Sequence, residues 1–242
     1  MNEIQPPDHF GASLKNLTDE ARDLLSGPNF PLPTYWRGQI SYVDSMMDKG
    51  PQGSGAEKVF DQEMIEGLEY PLTITLGRRA DPLRDIKASI RVLRERNIPI
   101  VGVERGGQAT LHNPGQLVIY PHINLRARGV KVKEYVEHVE LTTKRFLQRF
   151  GIDAFCKGDE AGLYTLRGKI AFFGVRVQRG FTSHGLSINV RNHIEDFGLI
   201  RSCGKSEESF SRMQDYGVTA PLSFLFKCWC EEYFREPLQG RA

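Results

Sequence analysis

GKIAFFGVRVQRGFTSHGLSINV, residues 168–190, is the stretch on which the fold turns. Residues 169–177 and 185–190 carry the branched and aromatic side chains of strands, with a glycine-bearing turn between them. Two strands in direct succession break the strict strand–helix alternation of an all-parallel sheet. Upstream, LTITL at 72–76 reads as a strand and GRRADP turns the chain. Asp81 is a good N-cap with Pro82 at the first helical position, and Ile86, Ile90 and Leu93 at helical spacing predict one amphipathic helix. Residues 98–103, 116–120 and 162–165 read as further strands. Val132, Val136, Val139, Phe146, Leu147 and Phe150 predict a helix stopped by Gly151. A last helix, 222–234, turns Leu225, Trp229 and Phe234 inward. This order predicts an α/β domain with a mixed sheet and flanking helices.

The first half-hundred residues read differently. Pro6, Pro7, Pro28, Pro31 and Pro33 break up everything except a short amphipathic helix at 18–25. Residues 36–47 suggest a strand running into a short helix, and GPQGSG at 50–55 a flexible loop. The expected organisation is an N-terminal extension over 1–57 and one domain over 58–242.

With 242 residues, 40% of them hydrophobic, the chain can bury a substantial core. A formal charge of +2 is too near balance to suggest nucleic-acid binding. Arg126, Arg128, Lys131 and Lys133, and Arg176 with Arg179, form local basic clusters that read first as solvated surface. The start lacks the order of a signal peptide and no apolar run is long enough to span a bilayer, so a soluble, cytoplasmic protein without membrane contact is expected. Four cysteines are too sparse for a disulfide scaffold and are expected to be reduced. Cys228 and Cys230 are two apart on a helix, so they face different sides, and no second CxxC or histidine pair completes a zinc set. No metal or cofactor is expected.

Cys203 lies between Ser202 and Gly204 in a polar, turn-prone segment, where a thiol can act as a nucleophile. An ordinary thiol is only a few per cent ionised at neutral pH and needs a nearby positive charge. Lys169 can supply it: an ammonium within about 4 Å in a partly dry site lowers a thiol pKa by roughly one to two units. RGGQATLHNPGQ, residues 105–116, has glycines where backbone amides can meet a ligand, with Arg105 and His112 in the same loop. It is neither a Walker loop nor a dinucleotide fingerprint. Cys156 belongs to a strand edge, and His184, before Gly185, is placed to hydrogen-bond within the site. Each feature alone has a plainer reading: a packed thiol, a tight turn, a structural histidine.

Taken together in this order, LGRRAD at 76–81, RGGQATLHNPGQ, GKIAFFGVRV, SHGLSINV and the Cys203–Gly204 pair resemble the lipoyl(octanoyl) transferase family of lipoate biosynthesis, related in fold to the catalytic domain of biotin and lipoate protein ligases. The resemblance runs from about residue 70 to about residue 220. It implies that Cys203 takes an octanoyl group from octanoyl acyl carrier protein and that a lysine of an apo lipoyl domain then receives it. Such acceptors are the lipoyl domains of 2-oxoacid dehydrogenases and the glycine cleavage H protein. Lys169 corresponds to the lysine that lowers the thiol pKa. Substrate-binding positions carry over onto Arg105, Gly106, Gly107, Gln108, Ala109, Thr110, Leu111 and His112, onto Phe172, Phe173 and Gly174, and onto His184, Gly185, Leu186 and Ser187. The resemblance implies no cofactor, and a monomer is expected.

The chain departs from the family pattern in four places. Tyr70 precedes Pro71 where histidine is common, Asn113 stands where the family usually has the first glycine of His-Gly-Pro-Gly, Ser202 replaces the proline before the cysteine, and Ala220 replaces a serine. Two other readings are an ATP-dependent lipoate or biotin-type ligase, although the GRGRRG-like phosphate loop of biotin ligases is absent, and a non-catalytic module that binds lipoyl or acyl carrier domains.

Overall fold

The structure, a computed structural model, describes residues 34–35, 63–158, 160–201 and 209–240. The expectations for residues 18–25, 36–47 and 50–55 fall outside them.

Six strands form the larger sheet: β1 (Thr34–Tyr35), β2 (Met64–Glu69), β6 (Gln116–His122), β7 (Gly162–Thr165), β8 (Gly168–Gln178) and β9 (Phe181–Asn189), in the order β1-β2-β6-β9-β8-β7, all antiparallel. Three more form a small sheet, β4-β3-β5: β3 (Thr73–Leu76) runs parallel to β4 (Ile100–Gly102) and antiparallel to β5 (Ala109–His112). The fold is therefore α/β with mixed pairing, the parallel strand pair lying in the small sheet.

β8 and β9 make a hairpin in which β9 begins at Phe181, ahead of the strand expected over 185–190. Its two-residue turn, Arg179 (φ 53°) and Gly180 (φ 91°), has positive φ at both positions, the geometry that matches the twist of paired strands. The single helix expected after Asp81 is divided into α1 (Pro82–Asp85) and α2 (Ile90–Glu95). The division has a cause in the backbone: Ile86 turns extended (ψ 120°) and bridges Ile200, and the amides of Lys87 and Ala88 both donate to the Leu199 carbonyl. β4 is shorter than 98–103 because the Ile98 amide closes the end of α2 on the Leu93 carbonyl at 2.8 Å. β5 was hidden in sequence behind the glycines that precede it.

α3 (Val132–Gln148) and α4 (Leu222–Phe234) cover one face of the larger sheet. Between them and the sheet lie Ile65, Leu117, Ile119, Ile170 and Ile188 with Tyr135, Phe146, Leu225 and Trp229, all essentially without solvent exposure. Each fully buried aliphatic or aromatic side chain contributes about 1.5–3 kcal/mol. The Trp229 indole donates to Thr143 Oγ1 at 3.1 Å and ties the helices together. The small sheet has its own core, in which Ile74, Leu76, Leu93 and Leu111 meet Phe197, and Phe172 of β8 reaches into it. Phe197 belongs to a 3₁₀ segment, Ile194–Leu199, and a second such segment spans Met213–Tyr216. The seam between the two sheets is where the cavity opens.

Candidate active site

A cavity of about 240 Å³ is lined from both sheets. β5 and the loop before it supply Arg105, Gly106, Gly107, Gln108, Ala109, Thr110 and His112, β8 supplies Phe172, Phe173 and Gly174, and β9 supplies His184, Gly185, Leu186 and Ser187. Three segments from distinct parts of the chain thus converge on one space. Leu111 is the exception among the expected substrate-binding positions: strand alternation turns it away, fully buried, into the small sheet's core. Arg79, Tyr120, Glu160 and Ala161 also line the cavity, beyond the expected substrate-binding positions, although Arg79 belongs to the LGRRAD motif. Tyr120 was findable, because it alternates with the inward-facing Ile119 on the same strand. Glu160 and Ala161 lie in a segment with no periodic signal.

Arg105 shapes the wall by spending its guanidinium on the protein: Nη2 donates to the Thr75 carbonyl at 2.8 Å and to Thr75 Oγ1 at 3.0 Å, and Nη1 to the Gly106 carbonyl at 3.0 Å. His112 is held by Gln116, with Nδ1 and Oε1 2.7 Å apart. Gln116 in turn donates its amide nitrogen to Asn189 Oδ1 at 3.0 Å, so its oxygen is the acceptor for His112 Nδ1–H. The other imidazole nitrogen keeps its lone pair. Thr110, between Ala109 and Leu111 on β5, has a buried hydroxyl without a hydrogen-bond partner among the described residues. An acyl carbonyl or thioester oxygen in the cavity would satisfy it.

Burial, assisted by the Arg105 charge, holds the pKa of His112 down to about 4 despite its bond to Gln116. His184 is likewise held to about 4, first by burial and then by Arg105 and Arg176. It also sits at φ 55°, an uncommon conformation for a non-glycine residue, with its ring edge-on to Tyr120 at 5.6 Å. Both imidazoles are neutral at physiological pH. In the unfolded chain they take up protons near pH 6.5, and in the folded chain only near 4, so the stability they contribute is complete above the first value and lost as pH falls toward the second. Denaturant titrations are expected to show a loss on the order of 2 kcal/mol from His112 alone between about pH 7 and 5. His112→Gln should remove about one proton from the slope in that window. A stability independent of pH over this range would contradict the burial of these rings.

Lys169, three residues before Phe172, has no solvent exposure. Its backbone is gripped on both sides, with its amide donating to the Ser209 carbonyl at 2.8 Å and its carbonyl accepting from Ser211 at 3.0 Å. Nζ stands 5.1 Å from the centre of the Tyr164 ring and 5.2 Å from that of Phe172. Tyr164 faces Lys169 across β7 and β8, and its hydroxyl donates to the Glu160 carboxylate on the cavity wall. Room for the lysine comes from Gly162: a Cβ there would lie 2.6 Å from Lys169 Cε and 2.5 Å from the Ala171 carbonyl oxygen, at φ 153°. An ammonium between two aromatic faces gains roughly 0.5–2 kcal/mol of cation–π attraction.

Cys203 lies outside the described residues. Its described neighbours in sequence are Arg201, whose amide donates to the Asp85 carbonyl at 2.7 Å, and Ser209 against Lys169. The three described thiols are poorly suited to attack. Burial pushes the pKa of Cys156 up and its bond to the Glu140 carboxylate pushes further the same way, while burial raises Cys228 and Cys230. Cys156 lies beside the isolated bridge of Phe155 to Tyr164, near the edge expected for it.

A polar cluster is gathered around Asn113, the residue after cavity-lining His112. Asn113 donates from its side-chain nitrogen to the His193 carbonyl at 2.8 Å and to Asp196 Oδ2 at 2.9 Å, and its oxygen accepts from Asn192 at 3.0 Å. Asp196 is also paired with Arg96 at 2.7 Å.

Among the described residues no group of three or more His, Cys, Asp and Glu is arranged to hold a metal ion, and no helix is long and apolar enough to cross a membrane. The sequence profile of the lipoyl protein ligase A/B catalytic domain matches residues 56–224. The chain is 37% identical over 170 residues to an octanoyltransferase of Methylococcus capsulatus, a match that covers 70% of this chain and 78% of the relative. It is 42% identical over 137 residues to one from Syntrophobacter fumaroxidans, covering 57% and 60%. A protein from T. acidophilum described as a putative lipoate protein ligase, solved with bound lipoic acid, superposes with a TM-score of 0.61 at 12% identity over 84% of this chain and 81% of that one. At that identity the likeness speaks for the fold.

Proposed function

The chain belongs to the octanoyltransferase family and is an acyltransferase, and from that premise we propose that it moves octanoyl from an acyl carrier protein thioester, through a thioester on Cys203, to a lysine of apo lipoyl domains. The observation that carries this reading is the convergence of Arg105–Gln108, Phe172–Gly174 and His184–Ser187 on one cavity, with the Lys169 ammonium against the ring of Phe172.

In the first half-reaction the Cys203 thiolate attacks the acyl carbonyl carbon. The carrier's thiolate leaves and takes a proton, for which the Lys169 ammonium is the donor in this reading. In the second, the acceptor lysine amine attacks the Cys203 thioester, loses its proton to Lys169 and expels the cysteine thiolate. One thioester replaces another at little cost, and the amide formed last is far more stable, so no nucleotide is consumed. Phe172, Phe173 and Leu186 suit the acyl chain, whose burial contributes about 0.8 kcal/mol per CH₂. Thr110 and His112, alternate residues of one strand, both line the cavity: the Thr110 hydroxyl can donate to the acyl carbonyl, and His112 presents an acceptor nitrogen beside it.

The raised pKa values of Cys156, Cys228 and Cys230 support Cys203 by leaving the described thiols protonated at neutral pH. Intact-mass measurement after incubation with octanoyl acyl carrier protein should find one added octanoyl group, mapped to Cys203 and absent in Cys203→Ser. An adduct on Cys156, no adduct at all, or modification of lipoyl domain only from octanoate and ATP would sink the reading.

A further inference from the structure

Arg78 and Arg79 stand apart from most arginines of the described chain. Arg84, Arg91, Arg96, Arg128, Arg145, Arg149, Arg176, Arg212 and Arg235 are each paired with a carboxylate, and Arg105 is consumed by Thr75 and Gly106. Arg78 and Arg79 are exposed, and among the described residues neither guanidinium has an ion-pair or hydrogen-bond partner. Their backbone is nonetheless fixed to the cavity wall. The Gly77 amide donates to the Gln108 carbonyl at 3.2 Å, Arg78 to Arg105 at 3.1 Å, Arg79 to Gly107 at 3.0 Å, and Ala80 closes the turn on Gly77 at 2.9 Å. Arg79 lines the cavity while remaining exposed, which puts it at the rim.

Two cations held on a rigid turn at a cavity's rim, with no acid of their own among the described residues, suit an anion carried on whatever enters. A guanidinium suits a phosphate in particular, because its planar fork offers paired donors. In the donor of the reaction proposed above, the acyl thioester hangs from a pantetheine arm whose other end is a phosphodiester. That phosphate lies well away from the thioester, so its reader belongs at the rim and not beside the buried Lys169. We propose that Arg78 and Arg79 bind the phosphodiester of the donor's pantetheine arm. The assignment rests on the carrier-thioester reading and adds to it the part of the donor that is recognised.

The test compares three octanoyl thioesters, on acyl carrier protein, on coenzyme A and on N-acetylcysteamine, the last having no phosphate, using the full chain and the double variant Arg78→Gln, Arg79→Gln. Acylation of Cys203 is read by intact mass over time. The variant is expected to lose about tenfold more in kcat/KM with each phosphate-bearing donor than with the N-acetylcysteamine thioester, the loss falling on KM. In the unaltered chain, added salt should weaken the first two donors and spare the third. An equal loss with all three donors, or none, would overturn the proposal. So would a loss confined to the carrier protein, since the arginines would then be reading acidic side chains of the carrier. If the unaltered chain accepted octanoyl from none of the three, the carrier-thioester reading itself would fail, a result distinct from any of these.

Discussion

Lys169→Met is expected to slow octanoyl transfer by about a thousandfold at pH 7 while leaving a folded protein. Methionine fills much of the slot between Tyr164 and Phe172 and removes the charge. Two effects combine. Loss of the ammonium lets the Cys203 pKa rise by roughly one to two units, which lowers the thiolate population roughly ten- to a hundredfold. Loss of the proton carrier costs a further factor, since positioned proton transfer is worth about 10²–10⁴. The two separate experimentally. Iodoacetamide alkylation of Cys203, followed by peptide mass, should be about ten- to a hundredfold slower than in the unaltered chain at pH 7 and nearly equal at about pH 10, where the thiol ionises without help. Single-turnover acylation should fall at both. Unchanged alkylation at neutral pH would mean that the ammonium does not activate the thiol, whatever happens to turnover.

Gly162→Ala should destabilise the fold far more than the addition of one methyl group ordinarily does. The new Cβ would meet the Ala171 carbonyl oxygen at 2.5 Å and Lys169 Cε at 2.6 Å, and φ 153° is a conformation that side chains rarely adopt. Backbone strain of about 1–3 kcal/mol and overpacking of about 1–3 kcal/mol add because they arise from different atoms. At roughly 2–4 °C per kcal/mol for a chain of this size, the melting temperature should drop by about 10 °C. The lysine flexes more readily than the carbonyl, so the folded fraction should also show the slower Cys203 alkylation of a displaced ammonium. Gly158→Ala is the control, at φ 55° with nothing within 4 Å of the added carbon, and should cost only about 1 kcal/mol. Equal melting temperatures for the two variants would show that Gly162 is not crowded by the lysine.

What the sequence made legible follows local periodicity. The strands at 72–76, 116–120 and 162–165 and the helices at 132–150 and 222–234 were readable because their apolar residues recur at a fixed spacing. The sheet order was not, since β6 pairs with β2 and β9 through contacts that no local pattern encodes. α1 and α2 were read as one helix because Ile86, Ile90 and Leu93 keep the right spacing, whereas the break is imposed by Leu199, far away along the chain. The cavity-lining glycines and histidines were picked out by motif. Leu111 was carried along with its motif, although the alternation of the same strand turns it inward. Glu160 and Ala161 reach the cavity through tertiary placement, and their own neighbours in sequence give no sign of it, whereas Arg79 sat in the LGRRAD motif without being marked as a cavity residue. Cys203 and its role are decided by the mass experiment.

The side chain of Asn113 bears on how such a chain can diverge. Where the family commonly has glycine, this amide fastens the end of β5 to Asn192, His193 and Asp196 at once. Replacing it with glycine by itself would remove Asp196's bond to the amide and leave its ion pair with Arg96, and would leave the Asn192 amide with Asn189 Oδ1 as its remaining acceptor. The positions are therefore coupled through one side chain, and none of them can change without leaving a polar group of another to find a new partner.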